Sequence, residues 1–261
     1  SLGLMVVTSI ALLFVAGLIS ASARELPVAG PVFDPRPDPT ARRVAYVSGR
    51  LLCLGELDGR WRVLAGGEAD EPEAITWGSA DFIAAEEMDR FRGYWWSPDG
   101  ERLAVTRVDT RPVQRWYLND PADPAAPPTE LAYPAAGTPN AEVTLHVFDL
   151  AGRTVDIGWD RSAFEYLADV NWSEAGLIIT VQSRDQRRLQ VLDVDPDTGA
   201  TSVRWADDDE QWVELVAGVP RLTADGRLVT AADRGGARRL LVDGEPVTPD
   251  DLQVRAVATV D

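Results

Sequence analysis

Two adjacent glutamates, Glu86 and Glu87, are the side chains whose type and spacing point most directly to chemistry. They lie in residues 81–92, a stretch with clear helical character, directly before the aromatic run at 94–96. Two carboxylates held on a short helix beside a cavity attract a cation such as an ammonium group. Alone, such a pair is typical of a solvated helix face, so the surrounding motifs must decide between the two interpretations.

Nucleophilic catalysis is constrained by a composition that includes one His and one Cys. A Ser-His-Asp triad would have to use His146, which sits at an alternating strand position beside Leu145 and Val147, and we therefore predict a structural role for it. The chain contains no G-x-S-x-G sequence, the nucleophile elbow of α/β-hydrolases. We predict no catalytic residue in this chain and no hydrolysis by the chain alone.

Metal and cofactor sites are not indicated either. One Cys and one His cannot form a Cys/His zinc site. Residues 193–199 resemble a calcium loop, but Gly199 falls one position late, Pro196 intrudes, and Arg204 stands where a bidentate Glu is needed. We predict a turn between strands there, a solvated loop at the acidic run 207–210, and neither a metal nor a cofactor.

Charge and length exclude one class of partner and set the size of the fold. The 42 acidic and 25 basic side chains give a net charge of −17, which argues against a nucleic-acid partner. With 261 residues and 45% hydrophobic residues, the chain can build one large domain or two small ones around a real core.

The N-terminal residues 1–23 carry no charge and allow two interpretations. The apolar run has the length of a membrane-spanning helix, and Ala-Ser-Ala at 21–23 resembles a signal-peptide cleavage site. No basic residue precedes the run, and Gly, Ser and Thr interrupt it, as in a pair of buried strands. The helix implies a membrane-anchored or secreted protein, and the strands imply a cytoplasmic one.

A weak repeat runs through the rest of the chain. A turn rich in Pro, Asp and Gly is followed by a basic or polar residue and a short apolar strand. Copies occur at 38–47, 96–105, 172–179 and 223–229. The repeat predicts an all-β fold in which residues 24–261 form a partial β-propeller of about four to five blades, with one short inserted helix carrying the acidic pair. We predict an inserted loop at the Pro- and Ala-rich residues 120–136.

The motifs around the acidic pair follow one another in a specific order. Arg-Phe-Arg-Gly at 90–93 is followed by Tyr-Trp-Trp-Ser-Pro-Asp-Gly at 94–100, and Tyr-Pro-Ala-Ala-Gly-Thr-Pro-Asn at 133–140 precedes a strand from Val143. From residue 75 to residue 150 this arrangement resembles the propeller domain of the dipeptidyl peptidase IV group, within the prolyl oligopeptidase family of serine peptidases. Elsewhere the likeness is general to propeller repeats.

The resemblance implies a role for the acidic pair. In that family a double Glu projects into the substrate cavity and binds the free N-terminal ammonium of the peptide, which sets cleavage two residues in. By motif, these residues are Glu86 and Glu87. Ala84 and Ala85 stand where some relatives have an aromatic residue and a further acid. The family's arginine that approaches the substrate carbonyl has several candidates here and is not assigned.

The resemblance also implies partners and a function. The partners are a peptide substrate with a free N-terminus, the C-terminal α/β-hydrolase domain of the same polypeptide, which is absent from this chain, and a second copy in a homodimer. The hydrolase domain would supply the catalytic Ser, Asp and His. The predicted function is to gate the active-site cavity and to anchor the substrate's amino terminus during proteolysis.

Two other functions remain as alternatives. A non-catalytic propeller of the WD or TolB kind would serve as a protein-interaction scaffold, needing no hydrolase domain and showing no preference for peptides with a free amino terminus. A glycosidase with paired carboxylates is less favoured, because nothing places a second acid opposite Glu86 or Glu87 at a defined distance.

Overall fold

The computed structural model describes Val28 and residues 30–261, which form nineteen strands and one helix. The strands make four larger antiparallel sheets and one separate hairpin, which confirms the predicted all-β class. The prediction for residues 1–23 lies outside the described residues. In the described part, no helix is long and apolar enough to span a membrane.

The first sheet contains four strands in chain order: β1 (Phe33–Pro37), β2 (Arg43–Ser48), β3 (Leu51–Glu56) and β4 (Trp61–Ala65). The second sheet contains β5 (Ile75–Trp77), β6 (Tyr94–Trp96), β7 (Arg102–Asp109), β10 (Glu142–Asp149) and β11 (Thr154–Ile157). Both β5 and β6 pair with β7. The helix α1 (Phe82–Glu87) lies between β5 and β6 in the chain.

The third sheet again follows chain order, with β12 (Tyr166–Ser173), β13 (Gly176–Gln182), β14 (Arg188–Val194) and β15 (Thr201–Asp208). So does the fourth, with β16 (Arg221–Leu222), β17 (Leu228–Arg234), β18 (Ala237–Val242) and β19 (Glu245–Pro246). Strands that follow one another in the chain therefore pair as neighbours, as the short turns of the sequence predict.

The recurring turn of the sequence joins antiparallel strands at the start of each sheet, as predicted. Between β6 and β7, the Ser97 hydroxyl accepts the Arg102 N–H at 2.9 Å and donates to the Asp99 carboxylate at 2.5 Å. Between β16 and β17, the Thr223 hydroxyl accepts the Arg227 N–H at 2.9 Å. These side chains satisfy backbone groups that a tight reversal leaves without ladder partners.

Successive sheets pack face to face because side chains alternate along each strand. In β7, Leu103 and Val105 pack against the first sheet, while Ala104 and Val108 pack against the third. In β13, Ile178 turns to the fourth sheet. A central strand thus contributes to two hydrophobic cores at once.

Three tryptophans in or beside copies of the repeat pack in these seams. Trp95 belongs to the core between the second and third sheets, and Trp96 belongs to the core between the first and second. Trp172 is half-buried and packs against the first of these clusters.

The predicted inserted loop at 120–136 is only partly a loop. It contains β9 (Thr129–Ala132), which pairs with β8 (Arg115–Leu118) in a separate hairpin. Trp116, Tyr117 and Leu118 are exposed on this hairpin. The short strand escapes a sequence prediction because Pro-rich flanks surround it and its partner lies outside the segment.

Gly93 closes the segment that carries α1. The two ends of this segment meet at a backbone bridge between Ser79 and Arg92. A Cβ on Gly93 would lie 2.4 Å from the Gly78 carbonyl carbon and from the Ser79 nitrogen. The Gly93 carbonyl also accepts the Thr106 N–H at 2.8 Å. Glycine is needed here because two backbone segments approach too closely for a side chain.

We expect Gly93→Ala to lower the free energy of unfolding by about 3 kcal/mol, because the added methyl forces the two backbone segments apart. Gly158→Ala is the matched control, since its Cβ would meet only the Gly199 oxygen at 3.8 Å. Urea unfolding followed by circular dichroism measures both. Equal midpoints for the two variants would contradict the close approach.

Candidate functional site

The helix α1 is shorter than the predicted helical stretch at 81–92. Asp81 caps its N-terminus, and the Asp81 carboxylate accepts the Ala84 N–H at 3.2 Å. The helix ends at Glu87 with Met88 as its C-cap, because Asp89 has a φ of +53° and an α-helix cannot continue through the left-handed region.

The helix points the side chains of the adjacent residues Glu86 and Glu87 in different directions. Ala84 and Met88 are buried and define the face that packs against the protein. At 100° per residue, Glu87 projects about 60° from the direction of Ala84, and Glu86 about 160°. Both carboxylates are exposed, and only Glu87 belongs to the wall of the main cavity. Neither forms an ion pair or a hydrogen bond with another described residue.

Arg90 fixes this helix to the rest of the domain. Its side chain is 3% exposed and pairs with Asp81 at 2.8 Å. The Arg90 Nε donates to the Leu167 carbonyl of β12 at 3.1 Å, Nη1 donates to the Arg92 carbonyl at 2.9 Å, and the guanidinium lies 6.0 Å from the Trp95 ring centre. Burial lowers the pKa of Arg90, and the negative charge of Asp81 opposes that shift. The contacts connect α1 to the third sheet.

The cavity beside Glu87 has a volume of about 740 Å³. One wall is the segment at 87–92 after the helix, another is formed by β12 and β13, and a third by the segment at 212–221 before β16. Among its polar lining residues, Thr180 and Gln182 are buried. A volume of this size accommodates a short peptide or another small ligand.

The arginines of the cavity are mostly neutralised by partners of their own. Arg221 pairs with Asp169 at 2.5 Å, and Arg36 pairs with Asp34 at 2.8 Å. Arg92 donates to the Tyr94 carbonyl at 3.0 Å, and burial together with the charge of Arg36 lowers its pKa to about 10. The Glu87 carboxylate has no such partner, so it remains available to a cation.

His146 forms a relay away from this cavity. Thr144 Oγ1 lies 2.7 Å from His146 Nε2, and Asp156 Oδ1 lies 2.7 Å from His146 Nδ1. The order hydroxyl, imidazole and carboxylate is that of a catalytic triad. The imidazole, however, packs against Trp77 with ring centres 5.1 Å apart, and its side chain is 12% exposed. The imidazole therefore packs among aromatic side chains of the second sheet while Asp156 is exposed, and none of the three residues lines the main cavity.

Comparison with known proteins identifies the family. The family model described as "Dipeptidyl peptidase IV (DPP IV) N-terminal region" matches residues 13–249. The chain belongs to this family. The DPP IV N-terminal region seen here is 27% identical over 181 residues to dipeptidyl peptidase 8 of Homo sapiens, covering 60% of this chain and 18% of the relative. It is 29% identical over 203 residues to a probable dipeptidyl-aminopeptidase B of Aspergillus niger, covering 67% and 22%.

Solved structures show the same fold. The DPP IV N-terminal region superimposes on dipeptidyl peptidase 4 of Porphyromonas gingivalis with a TM-score of 0.73 at 19% identity, covering 85% of this chain and 32% of that one. A putative dipeptidyl aminopeptidase IV of Bacteroides ovatus gives a TM-score of 0.66 at 21% identity, covering 82% and 30%. The β-propeller fold predicted from the repeat is therefore confirmed.

The matched relatives are much longer than this chain. It spans between 18% and 22% of the length of the human and Aspergillus relatives. Another relative, 28% identical over 158 residues, is named inactive dipeptidyl peptidase 10 of Rattus norvegicus. Membership in the DPP IV N-terminal family thus defines the fold and leaves activity to be argued from the site.

Two parts of the site escaped sequence reasoning. Arg90 lies in the Arg-Phe-Arg-Gly motif at 90–93, but the sequence predicts helical structure throughout residues 81–92. In the structure the helix stops before Arg90, and the chain turns so that Arg90 pairs with Asp81. The segment at 212–221 follows an acidic run and contains Trp212 between Gln211 and Val213. An isolated Trp after a polar loop is the one signal that could have drawn attention to this wall of the cavity.

We expect Arg90→Met to lower the free energy of unfolding by about 3–5 kcal/mol, because it leaves the Asp81 carboxylate charged in a site where it is 10% exposed. Asp81→Ser keeps a helix-capping oxygen but removes the charge, and we expect a similar loss because Arg90 is left unpaired.

The double variant Arg90→Met/Asp81→Ser completes a thermodynamic cycle measured by urea unfolding. Because no buried charge is then left alone, we expect its loss to be smaller than the sum of the single losses. Strict additivity would show that the two side chains act independently.

We expect the stability of this DPP IV N-terminal region to fall as the pH drops below 6.5, in part through His146. Burial lowers the pKa of His146 below 6.5, while Asp156 opposes the shift. The unfolded chain therefore takes up the proton first as the pH falls, which favours unfolding.

His146→Gln lacks this contribution. We expect the difference in unfolding free energy between about pH 7.5 and about pH 5.5 to shrink in the variant, measured by urea unfolding at both values. Since His146 is the one histidine, a proton NMR titration of its ring reports the pKa directly. A ring that titrates above 6.5 would reverse the expected sign.

Proposed function

We propose that this chain is the propeller part of a dipeptidyl-peptidase-IV-like serine peptidase and binds the N-terminal ammonium of the peptide substrate through Glu86 and Glu87. The observation that carries the proposal is the free Glu87 carboxylate on the wall of a cavity of about 740 Å³. Glu87 is the principal ligand in this proposal, and Glu86 adds negative charge from the neighbouring helical position.

The chemistry follows from the charges at this wall. An ammonium group donates three hydrogen bonds, and a carboxylate accepts them as charge-assisted bonds that are about twice as strong as neutral ones. Because Arg90 fixes α1 to β12, the carboxylate has a defined place relative to the cavity. A fixed amino terminus sets the register of the peptide before any bond is broken.

Catalysis is assigned to the rest of the polypeptide. The relatives are several times longer, and in this proposal their additional length includes the α/β-hydrolase domain that faces the propeller cavity. The propeller then gates access and anchors the substrate, while the hydrolase domain cleaves it. The proposal includes a homodimer of the natural polypeptide, which sedimentation velocity tests by the presence or absence of a species of twice the mass.

We expect Glu87→Gln, in the natural polypeptide that contains this chain, to lower kcat/KM for free-amine peptides by about ten- to a hundredfold, the equivalent of one charge-assisted hydrogen bond. We expect a smaller loss for Glu86→Gln, because that side chain lies outside the cavity wall. Thermal unfolding should be unchanged in both variants, since neither carboxylate has a partner among the described residues.

Glu174→Gln is the control, because Glu174 is an exposed glutamate in the turn between β12 and β13. Peptides with an acetylated amino terminus provide the second control and should not respond to any of the three substitutions. If Glu87→Gln leaves the kinetics on free-amine peptides unchanged, the ammonium site is refuted and the scaffold alternative takes its place.

A further inference from the structure

The segment between β15 and β16 forms one wall of the cavity, and hydrogen bonds to the third sheet hold it in place. Val213 is buried in the core between the third and fourth sheets. Its N–H donates to the Gln186 carbonyl at 2.7 Å, and its carbonyl accepts the buried Gln182 Nε2 at 2.9 Å. Both backbone groups of Val213 are thus held by the third sheet, which fixes the path of the chain at this point.

Trp212 and Glu214, the neighbours of Val213 in the chain, are exposed instead of buried in that core. Trp212 and Glu214 both line the same cavity as Glu87. The Trp212 ring is 59% exposed, although an indole of this size usually gains from burial. Its Nε1 lies 3.4 Å from Glu214 Oε2, so the two side chains stand together. An aromatic ring and a carboxylate side by side are the two groups that attract an organic cation.

The charges around this pair leave the carboxylate with capacity for a further partner. Glu214 has one cationic neighbour, Arg238, at 3.8 Å, and its side chain is 46% exposed. Arg238 is itself engaged with Asp233 at 3.1 Å. Arg221, at the end of this wall of the cavity, is paired with Asp169.

We propose that Trp212 and Glu214 form a second cation-binding subsite, which takes a lysine or arginine side chain of the peptide bound at Glu87. This proposal rests on the proposed function in one respect, since it takes the ligand to be a peptide. The attraction of these two side chains for a cation does not depend on that function. The ring offers its face to the stem and charge of the side chain, and the carboxylate accepts its hydrogen bonds. A peptide with a basic side chain then binds through two separate cation contacts in one cavity.

The test compares peptides that differ only in charge. The natural polypeptide, with the catalytic Ser of its proposed hydrolase domain changed to Ala so that it does not cleave the ligand, is titrated by calorimetry with free-amine tetrapeptides. These contain either lysine or the uncharged norleucine at each position in turn. We expect a preference for lysine of about tenfold at one position, as expected for a partly desolvated cation beside an aromatic ring and a carboxylate. We expect Glu214→Gln to remove most of that preference and to leave binding of the norleucine peptides unchanged. We expect Trp212→Leu to weaken the lysine peptides more than the norleucine peptides, because both lose contact with the ring and only lysine also loses the attraction of its charge.

Glu210→Gln is the matched control, because Glu210 is an exposed acid of the same segment that does not line the cavity. It should keep the full preference. Equal affinity for the lysine and norleucine peptides at every position, or a preference that survives Glu214→Gln, would overturn the subsite.

The result separates this proposal from the ammonium site. If Glu87→Gln weakens all free-amine peptides while Glu214→Gln changes nothing, the ammonium site stands and the second subsite falls. If Glu87→Gln has no effect while Glu214→Gln removes the lysine preference, the subsite stands and the proposed role of Glu87 falls. Thermal unfolding of the variants confirms that they are folded, which their exposed positions lead us to expect.

Discussion

The guanidinium of Arg90 is the contact through which two sheets hold the candidate site. It reaches the Leu167 carbonyl of β12 and the carboxylate of Asp81, the residue that caps α1. A helix of six residues has little stability of its own, because too few hydrogen bonds repay the ordering of its backbone. The place of Glu87 therefore depends on a buried ion pair, and such a pair is tolerated because each of the three guanidinium nitrogens of Arg90 donates a hydrogen bond.

The β13 part of the cavity wall consists of strand positions whose side chains do not face the hydrophobic core between the second and third sheets. In β13, Ile179 and Val181 face the second sheet, and the alternating positions Thr180 and Gln182 face the cavity side. Gln182 then holds the carbonyl of Val213 in the segment before β16. The period of a strand thus couples a hydrophobic seam on one side to a polar wall on the other.

The distribution of charge explains how a chain with many arginines keeps an acidic cavity. The net charge is −17, yet four arginines line the cavity. Three of them, Arg36, Arg90 and Arg221, have a carboxylate of their own. Pairing cancels these cations locally, while Glu87 and Asp89 line the cavity without an ion pair among the described residues. Glu214 has Arg238 as its one cationic neighbour, 3.8 Å away. Both proposals depend on carboxylates of the cavity wall that keep the capacity to bind a cation.

The sequence by itself determined the all-β class, the turns that begin each sheet, and the family. These features depend on local patterns: alternation along a strand, Ser or Thr followed by Asp and Gly at a reversal, and a run of motifs around residues 86–100.

Only the tertiary structure decided which side chains meet. It ended α1 at Glu87, separated Glu87 from Glu86, paired Arg90 with Asp81, and brought the segment at 212–221 across the cavity. Pairings of this kind join residues from different turns and sheets, and no local periodicity records them. The direction of a side chain at the end of a helix depends on where the helix stops, and here a single residue with positive φ decides that.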